Sequence, residues 1–270
     1  MYINSISSIS YGGRLIPMVS ASINEAGKYK DYAIENGLGI EIKAPKEKQL
    51  ENFDATVGEL KEVLEGFPNK ISVHAPCYDL NIISVDPKIR EISRERFEQA
   101  LEIAQAARAD TIVFHTSNDN FKLPSARNKA KEELVEFWSE FVKKLEELNI
   151  TAMLENVLEA SPELIQQVVK EVNSPYLKTC FDTGHALINS SLQPEIWFEK
   201  FKDSLGHIHI HNNDGEGDLH KPFPQGVGNF CNILAGAKNL KQDVNVVFEV
   251  NSLEDTRQSV EAFSRLDLIA

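Results

Sequence analysis

The chain has 270 residues, of which 42% are hydrophobic and 26% are charged, and its formal net charge is −13. This composition is that of an ordinary globular protein, and the length suits one large α/β domain or two small ones. The negative charge disfavours non-specific binding of nucleic acid, and no apolar run approaches the ~20 residues of a membrane span. The absence of a secretory signal pattern and the three scattered cysteines predict a cytoplasmic protein without disulfides.

Short β-type runs alternate with amphipathic helical stretches along the chain. Apolar residues at helical spacing predict helices over 87–108 and 128–148, Ser161-Pro162-Glu163 is typical of a helix start, and a last helix is expected over about 255–266. The predicted strands are 2–6, 38–42, 70–74, 110–115, 150–154, 177–181, 206–210 and 244–249.

Eight such units average roughly 34 residues, which is the size of a β–α repeat. We therefore predict a single-domain (β/α)8 TIM barrel over residues 1–270. A doubly wound open sheet is the alternative. It usually has a glycine-rich phosphate turn after its first strand, and Gly12-Gly13 is a weak match to that turn.

Acids and imidazoles stand at the ends of the predicted strands, where a TIM barrel has its active site. They recur at intervals of about one β–α repeat, so they are expected to meet in one ring. Uncompensated buried carboxylates are costly, and carboxylate with imidazole suits Zn²⁺, Mn²⁺ or Fe²⁺, so the pattern predicts a metal site. The residues are Glu41, His74, His115, Glu155, Asn156, Asp182, His185, His209, His211 and Glu249.

The stretch HIHIHNNDGEGDLH, residues 207–220, is the densest part of this pattern. Residues two apart on a strand share a face, so His207, His209 and His211 are expected to point into the barrel. Gly215 and Gly217 let the following loop return over the mouth, which adds Asp218 and His220 to the site.

Several residues also have plain structural interpretations. His207 is expected to be a buried core residue, and His211 is a candidate ligand, substrate contact or supporting donor. Glu41 is expected to pair with Lys43 or to line the mouth. Cys77 and Cys180 are expected to be small buried fillers, because nothing near them in sequence indicates thiolate catalysis.

Taken together, the motifs VHAP, VFHTS, LEN, CFDTGHA, HIHIHNNDGEGDLH and VVFEV resemble, in order and spacing, the xylose isomerase-like TIM-barrel superfamily. The resemblance runs from about residue 38 to residue 250. This superfamily holds sugar-phosphate isomerases and epimerases and also the endonuclease IV apurinic-site nucleases of AP endonuclease family 2.

The resemblance implies roles for individual residues. Glu155 and Glu249 of the epimerase core would also form the acid/base pair. Apart from the resemblance, substrate contacts are expected from His211, Glu41 and Asn156. The strand 7 ligand is expected to be His209, with His211 left open. The residues that match the metal-binding core of the epimerases are Glu155, Asp182, His209 and Glu249. Those that match the further ligands of the three-zinc nucleases are His74, His115, His185, Asp218 and His220.

The sequence also departs from the nuclease pattern. Asn212 stands where the family pattern of strand 7 often has aspartate. In the nuclease segments, the chain reads His115-Thr116-Ser117 in place of HPG and has Val157-Leu158 in place of a glycine-rich stretch. Thr183-Gly184 lacks the nuclease cysteine, and Val250-Asn251 replaces Thr-Pro. Because these segments shape the DNA-binding face of the nucleases, the departures and the acidic charge argue against a nuclease.

The first hypothesis is therefore a metal-dependent sugar or sugar-phosphate isomerase/epimerase that uses one to three Zn²⁺ or Mn²⁺ ions. It would abstract a proton next to a carbonyl and pass through a metal-stabilised enediolate. The alternative is an endonuclease IV-like multi-zinc phosphodiesterase, and a third possibility is a catalytically silent sugar-binding barrel. The expected partner is a small sugar, phosphorylated or not. No nucleic acid or membrane partner is expected, and a homo-oligomer is compatible with the sequence.

Overall fold

The protein folds as a closed barrel of eight parallel strands that pair in sequence order, with helices around it. The structure is a computed structural model that describes residues 12–116, 124–266 and 268. It confirms the prediction of a single-domain (β/α)8 TIM barrel. The strands are β1 Leu15–Ala21, β2 Gly39–Ile42, β3 Ile71–His74, β4 Thr111–His115, β5 Thr151–Glu155, β6 Leu177–Asp182, β7 Leu205–Ile210 and β8 Val244–Phe248.

The helices follow the strands on the outside of the barrel, and a short 3-10 helix, Ile23–Glu25, follows β1. None of the described helices combines the length and the apolar surface that a membrane span requires. The helices are α1 Ala26–Glu35, α2 Glu47–Glu51, α3 Phe53–Val63, α4 Pro87–Ala107, α5 Pro124–Leu148, α6 Glu163–Val172, α7 Thr183–Asn189, α8 Pro194–Phe201, α9 Cys231–Lys238 and α10 Leu253–Ser264.

The first strand differs from the sequence prediction. Residues 2–6 lie outside the described residues, and the barrel closes through Leu15–Ala21, which the sequence pattern did not predict. This strand pairs Met18 with Gly39 of β2 and Leu15 with Val244 of β8. Pro17 lies within it, and a proline has no N–H to donate to a ladder, so the run LIPMVSA does not look like a strand buried between two neighbours.

Alternation along each strand separates an outer apolar layer from the barrel interior. Outward residues such as Ile208 and Ile210 are fully buried against the helices in the main core. Inside the barrel, Val113, Met153 and Cys180 form a separate apolar cluster. Two residues further along their strands come His115, Glu155 and Asp182. The interior therefore changes from apolar to ionisable towards the carboxyl ends of the strands.

We expect Gly39→Ala to reduce the free energy of unfolding by about 1–3 kcal/mol, since an added methyl group would overpack the start of β2. A Cβ there would lie 2.8 Å from the Lys70 carbonyl oxygen. That oxygen accepts the Ile40 N–H at 2.9 Å, so it cannot move without loss of strand pairing. Urea denaturation measures the change.

The matched control is Gly58→Ala in α3. A Cβ at this position has no neighbouring atom within 4 Å. The same chemical change should therefore stabilise the protein slightly, by about 0.5–1 kcal/mol, through helix propensity. Equal effects at the two positions would contradict the packing explanation.

Candidate metal centre

The carboxyl ends of the strands bring the predicted ligands into one continuous cluster at the mouth of the barrel. His74, His115, Glu155 and Asp182 are the last residues of β3, β4, β5 and β6. Parallel register places His115 beside Glu155 and Asp182 beside His209. Residues separated by a whole β–α repeat in sequence therefore become neighbours.

The centre of the cluster is His209, which is fully buried. Its Nδ1 atom lies 3.2 Å from a Glu155 oxygen, 3.2 Å from a Glu249 oxygen and 3.8 Å from an Asp182 oxygen. One N–H group cannot satisfy three carboxylates. Burial alone would raise the pKa of Glu155, but His209 and His115 hold it well below its usual range. Glu155 is thus ionised and requires positive charge beside it.

A first flanking group lies on the side of β3 and β4. The Nε2 atoms of His74 and His115 lie 3.2 Å and 3.3 Å from the same Glu155 oxygen. The Nδ1–H group of His74 donates to the Ala75 carbonyl at 2.8 Å. This hydrogen bond fixes the ring so that Nε2 faces Glu155.

A second flanking group forms around Asp218 on the long loop after β7. The Nε2 atoms of His185 and His220 lie 3.3 Å and 3.2 Å from one Asp218 oxygen. Their Nδ1–H groups donate to the backbone carbonyls of Asn156 at 3.1 Å and Glu249 at 2.8 Å. His220 has a φ of 46°, an uncommon conformation for a non-glycine residue and one that clusters at functional sites.

This donor set fits a divalent metal. Zinc holds nitrogen and oxygen ligands at roughly 2.0–2.1 Å in a tetrahedral arrangement, which places ligand atoms about 3.3 Å apart. The 3.2 Å between His209 Nδ1 and the Glu249 oxygen is close to that spacing. Burial alone lowers the pKa of His220, but Asp218 and Glu249 raise it to about 9. The imidazole thus carries positive charge that a cation could replace. Two groups of residues each place their potential ligand atoms within 4.8 Å of one another. The first group is Glu155, Asp182, His209 and Glu249, and the second is His185, His211, Asp218 and His220.

Glu41 lies beneath the cluster and is 1% exposed, so its position does not suit the substrate contact expected from the sequence. Its oxygens lie 2.9 Å from His209 Nε2 and 3.0 Å from His207 Nε2, and one accepts the Ser72 hydroxyl at 2.7 Å. Burial would raise the pKa of Glu41, but His209 and His207 keep it well below its usual range. Lys43, its other expected partner, donates instead to the Val250 carbonyl. Glu41 therefore suits orientation of His209.

The other two expected substrate contacts are also buried. Asn156 accepts the Asp182 N–H at 2.8 Å and donates to the Asp182 carbonyl at 2.9 Å, so it ties the ends of β5 and β6 together. His211 is fully buried, and its Nε2 lies 3.1 Å from an Asp182 oxygen. Its ring stacks on His220 at 3.9 Å. Gly184 leaves room for this ring, since a Cβ there would lie 2.0 Å from it.

Two asparagines that the sequence did not single out as site residues organise the loop after β7. Asn212 donates to the carbonyls of Phe223 and Gly228, at 2.8 Å and 2.9 Å. Asn213 accepts the Leu219 N–H at 2.7 Å and donates to the Gly184 carbonyl at 3.0 Å. These bonds hold Asp218 and His220 over the mouth. Side-chain amides within a loop rich in glycine and aspartate were the available sequence signal.

A cleft of about 630 Å³ opens beside the first flanking group. This volume lies within the range of small-molecule sites. Its buried wall includes Glu159, which accepts hydrogen bonds from the Thr116 hydroxyl and from the Val157 N–H. The cleft gives a small ligand a route to His115. Its lining includes Cys77, Tyr78, His115, Thr116, Leu158 and Glu159.

Known proteins resemble this chain in sequence and fold. The sequence model described as "Xylose isomerase-like TIM barrel" matches residues 33–266. The chain is 29% identical over 196 residues to the uncharacterized protein MJ1614 of Methanocaldococcus jannaschii, which covers 72% of this chain and 76% of that protein. The TTHB071 protein of Thermus thermophilus, whose crystal was soaked with ZnCl2, has a TM-score of 0.80 at 26% identity, covering 93% of this chain and 98% of that chain. A D-tagatose 3-epimerase-like protein has the same fold, with a TM-score of 0.77 at 24% identity over 92% of this chain and 96% of its own.

We expect Glu41→Ala to lower the free energy of unfolding by about 3–5 kcal/mol, because it leaves buried imidazoles without their carboxylate. Urea denaturation of the metal-free protein measures this loss. The control is Glu261→Ala, which removes an exposed ion pair with Arg265. That change should cost about 0.5 kcal/mol or less. A loss below about 1 kcal/mol for Glu41→Ala would show that Glu41 does not support the histidines.

Proposed function

This chain belongs to the xylose isomerase-like TIM barrel family, and we propose that it is a metal-dependent isomerase or epimerase of a sugar or sugar phosphate. The observation that carries the proposal is the convergence of two glutamates on one point. Glu155 and Glu249 each place an oxygen 3.2 Å from His209 Nδ1. Two carboxylates beside a cation are the groups that proton transfer next to a carbonyl needs.

Glu155, Asp182, His209 and Glu249 would hold the metal. When bound, a divalent cation supplies Lewis-acid polarisation of a substrate oxygen. Support for zinc comes from this donor set and from the zinc-soaked crystal of the TTHB071 protein.

The two glutamates would divide the proton transfer between them. The Glu249 side chain is 15% exposed and faces the mouth, so it accepts the proton from the carbon next to the carbonyl. Glu155 is 1% exposed and is surrounded by the imidazoles of His74, His115 and His185 at 3.2–3.3 Å. Glu155 would return the proton to the carbon.

We expect the protein with Zn²⁺ or Mn²⁺ to catalyse exchange of a carbon-bound proton with D₂O in at least one ketose or ketose phosphate. NMR or mass spectrometry of a substrate panel measures the exchange. Glu249→Gln should lower the rate by about 10²–10⁴-fold, because the amide cannot accept the proton. Glu65→Gln, at an exposed position, is the matched control and should leave the rate unchanged. The proposal fails if no sugar in the panel exchanges with either metal.

A multi-metal phosphodiesterase is the second candidate function. It is favoured by the two flanking groups, which supply ligands beyond those that one metal needs. The Glu155 carboxylate faces His209 with one oxygen and His74 with the other. A carboxylate in that position suits a pair of metal ions that clamp the attacking and leaving oxygens of a phosphodiester.

The isomerase proposal predicts that the zinc-loaded protein leaves an abasic-site DNA duplex intact at low salt, since the net charge of −13 opposes approach of the duplex. Gel analysis of an end-labelled duplex tests this. Cleavage that is lost in Asp218→Asn and retained in Asp54→Asn, an exposed aspartate of α3, would replace the isomerase by the phosphodiesterase.

A further inference from the structure

A cysteine thiol lies beside the first flanking group, where the sequence predicted only a small filler. The Cys77 sulfur and one ring nitrogen each of His74 and His115 lie within 4.8 Å of one another. Cys77 is half-buried and also lines the cleft. The thiol therefore stands between two imidazoles on one side and a route for small molecules on the other.

The backbone holds this arrangement in place. The Ala75 N–H donates to the Val113 carbonyl at 2.9 Å, so the chain remains attached to β4 after β3 has ended. Asp79 follows with a φ of 58°, which turns the chain away. Cys77 lies on the segment between these two points. The His74 ring is fixed through its Nδ1–H group, which leaves Nε2 as its ligand atom.

We propose that Cys77 is a thiolate ligand of a divalent cation held together with His74 and His115. As the sulfur–metal bond forms, the S–H bond breaks and its proton leaves to solvent, with no oxidation or reduction. Cys77 would add a third protein ligand to the two imidazoles, beside the Glu155 oxygen that both rings face. A soft thiolate favours zinc and cobalt over manganese and magnesium. The inference rests on the proposed metal centre but not on the proposed reaction.

Cys180 provides an instructive contrast. It lies near His207 and His209, but all three residues are fully buried. The Nε2 atoms of both histidines face Glu41, and Nδ1 of His209 faces the central carboxylates. Cys180, His207 and His209 are therefore enclosed by the chain, and the histidine nitrogens there already have carboxylate neighbours. Cys77 has two imidazoles beside it and access from the cleft.

Titration with Co²⁺ tests the inference, because a cobalt–thiolate bond gives a near-ultraviolet charge-transfer band that nitrogen and oxygen ligands lack. We expect the band in the wild-type protein, its loss in Cys77→Ser and its retention in Cys231→Ser. Cys231 is exposed, so it supplies the matched control. Cobalt bound without this band, or a band that persists in Cys77→Ser, overturns the inference and leaves the central metal group unaffected. Failure to bind any cobalt overturns the metal centre as well.

A measurement on the wild-type chain removes any dependence on how the variants fold. Alkylation followed by peptide mass spectrometry reports each cysteine separately. Saturating Zn²⁺ should slow alkylation of Cys77, Mg²⁺ should not, and Cys231 should react equally in all cases. Equal alkylation of Cys77 with and without zinc contradicts the ligand role.

Discussion

The concentration of carboxylates in a buried ring is the constraint on which the site depends. Glu155 and Asp182 are almost fully enclosed, and each lies within reach of His209. Ionised acids at this depth are stable only beside positive charge. Imidazoles provide that charge through protonation, and a metal ion provides it more compactly. The need for positive charge beside buried carboxylates thus explains both why histidines surround them and why the donor set fits a cation.

Orientation of the imidazoles is the second requirement, and the backbone meets it repeatedly. His74, His185 and His220 each use Nδ1–H on a backbone carbonyl and turn Nε2 towards a carboxylate. The central His209 is held from below by Glu41, which is itself tied to Ser72. A ring whose second nitrogen is fixed in this way presents its first nitrogen with little loss of freedom on metal binding. The fold itself therefore sets the orientation of these imidazoles.

The sequence predicted the ring of acids and imidazoles because the β–α repeat places strand ends at regular intervals. The depth of each side chain within the barrel was harder to predict from the sequence. Alternation shows that Glu41 points inwards, but not that two histidines enclose it below the mouth. The first strand was missed because Pro17 interrupts its pattern. The place of Cys77 depends on the path of an irregular segment, which periodicity does not describe.

Glu155 links the number of metals to the kind of reaction. One of its oxygens faces His209 and the other faces both His74 and His115. A carboxylate that bridges two cations could not also carry a proton, so a flanking metal held through Glu155 would favour the proposed hydrolysis over the proposed isomerisation. A thiolate from Cys77 would change this preference for hydrolysis, because the flanking metal would then have three ligands, His74, His115 and Cys77, without Glu155. The flanking metal would then not require the second oxygen of Glu155 as a ligand, and a chain that binds more than one metal could still act as an isomerase.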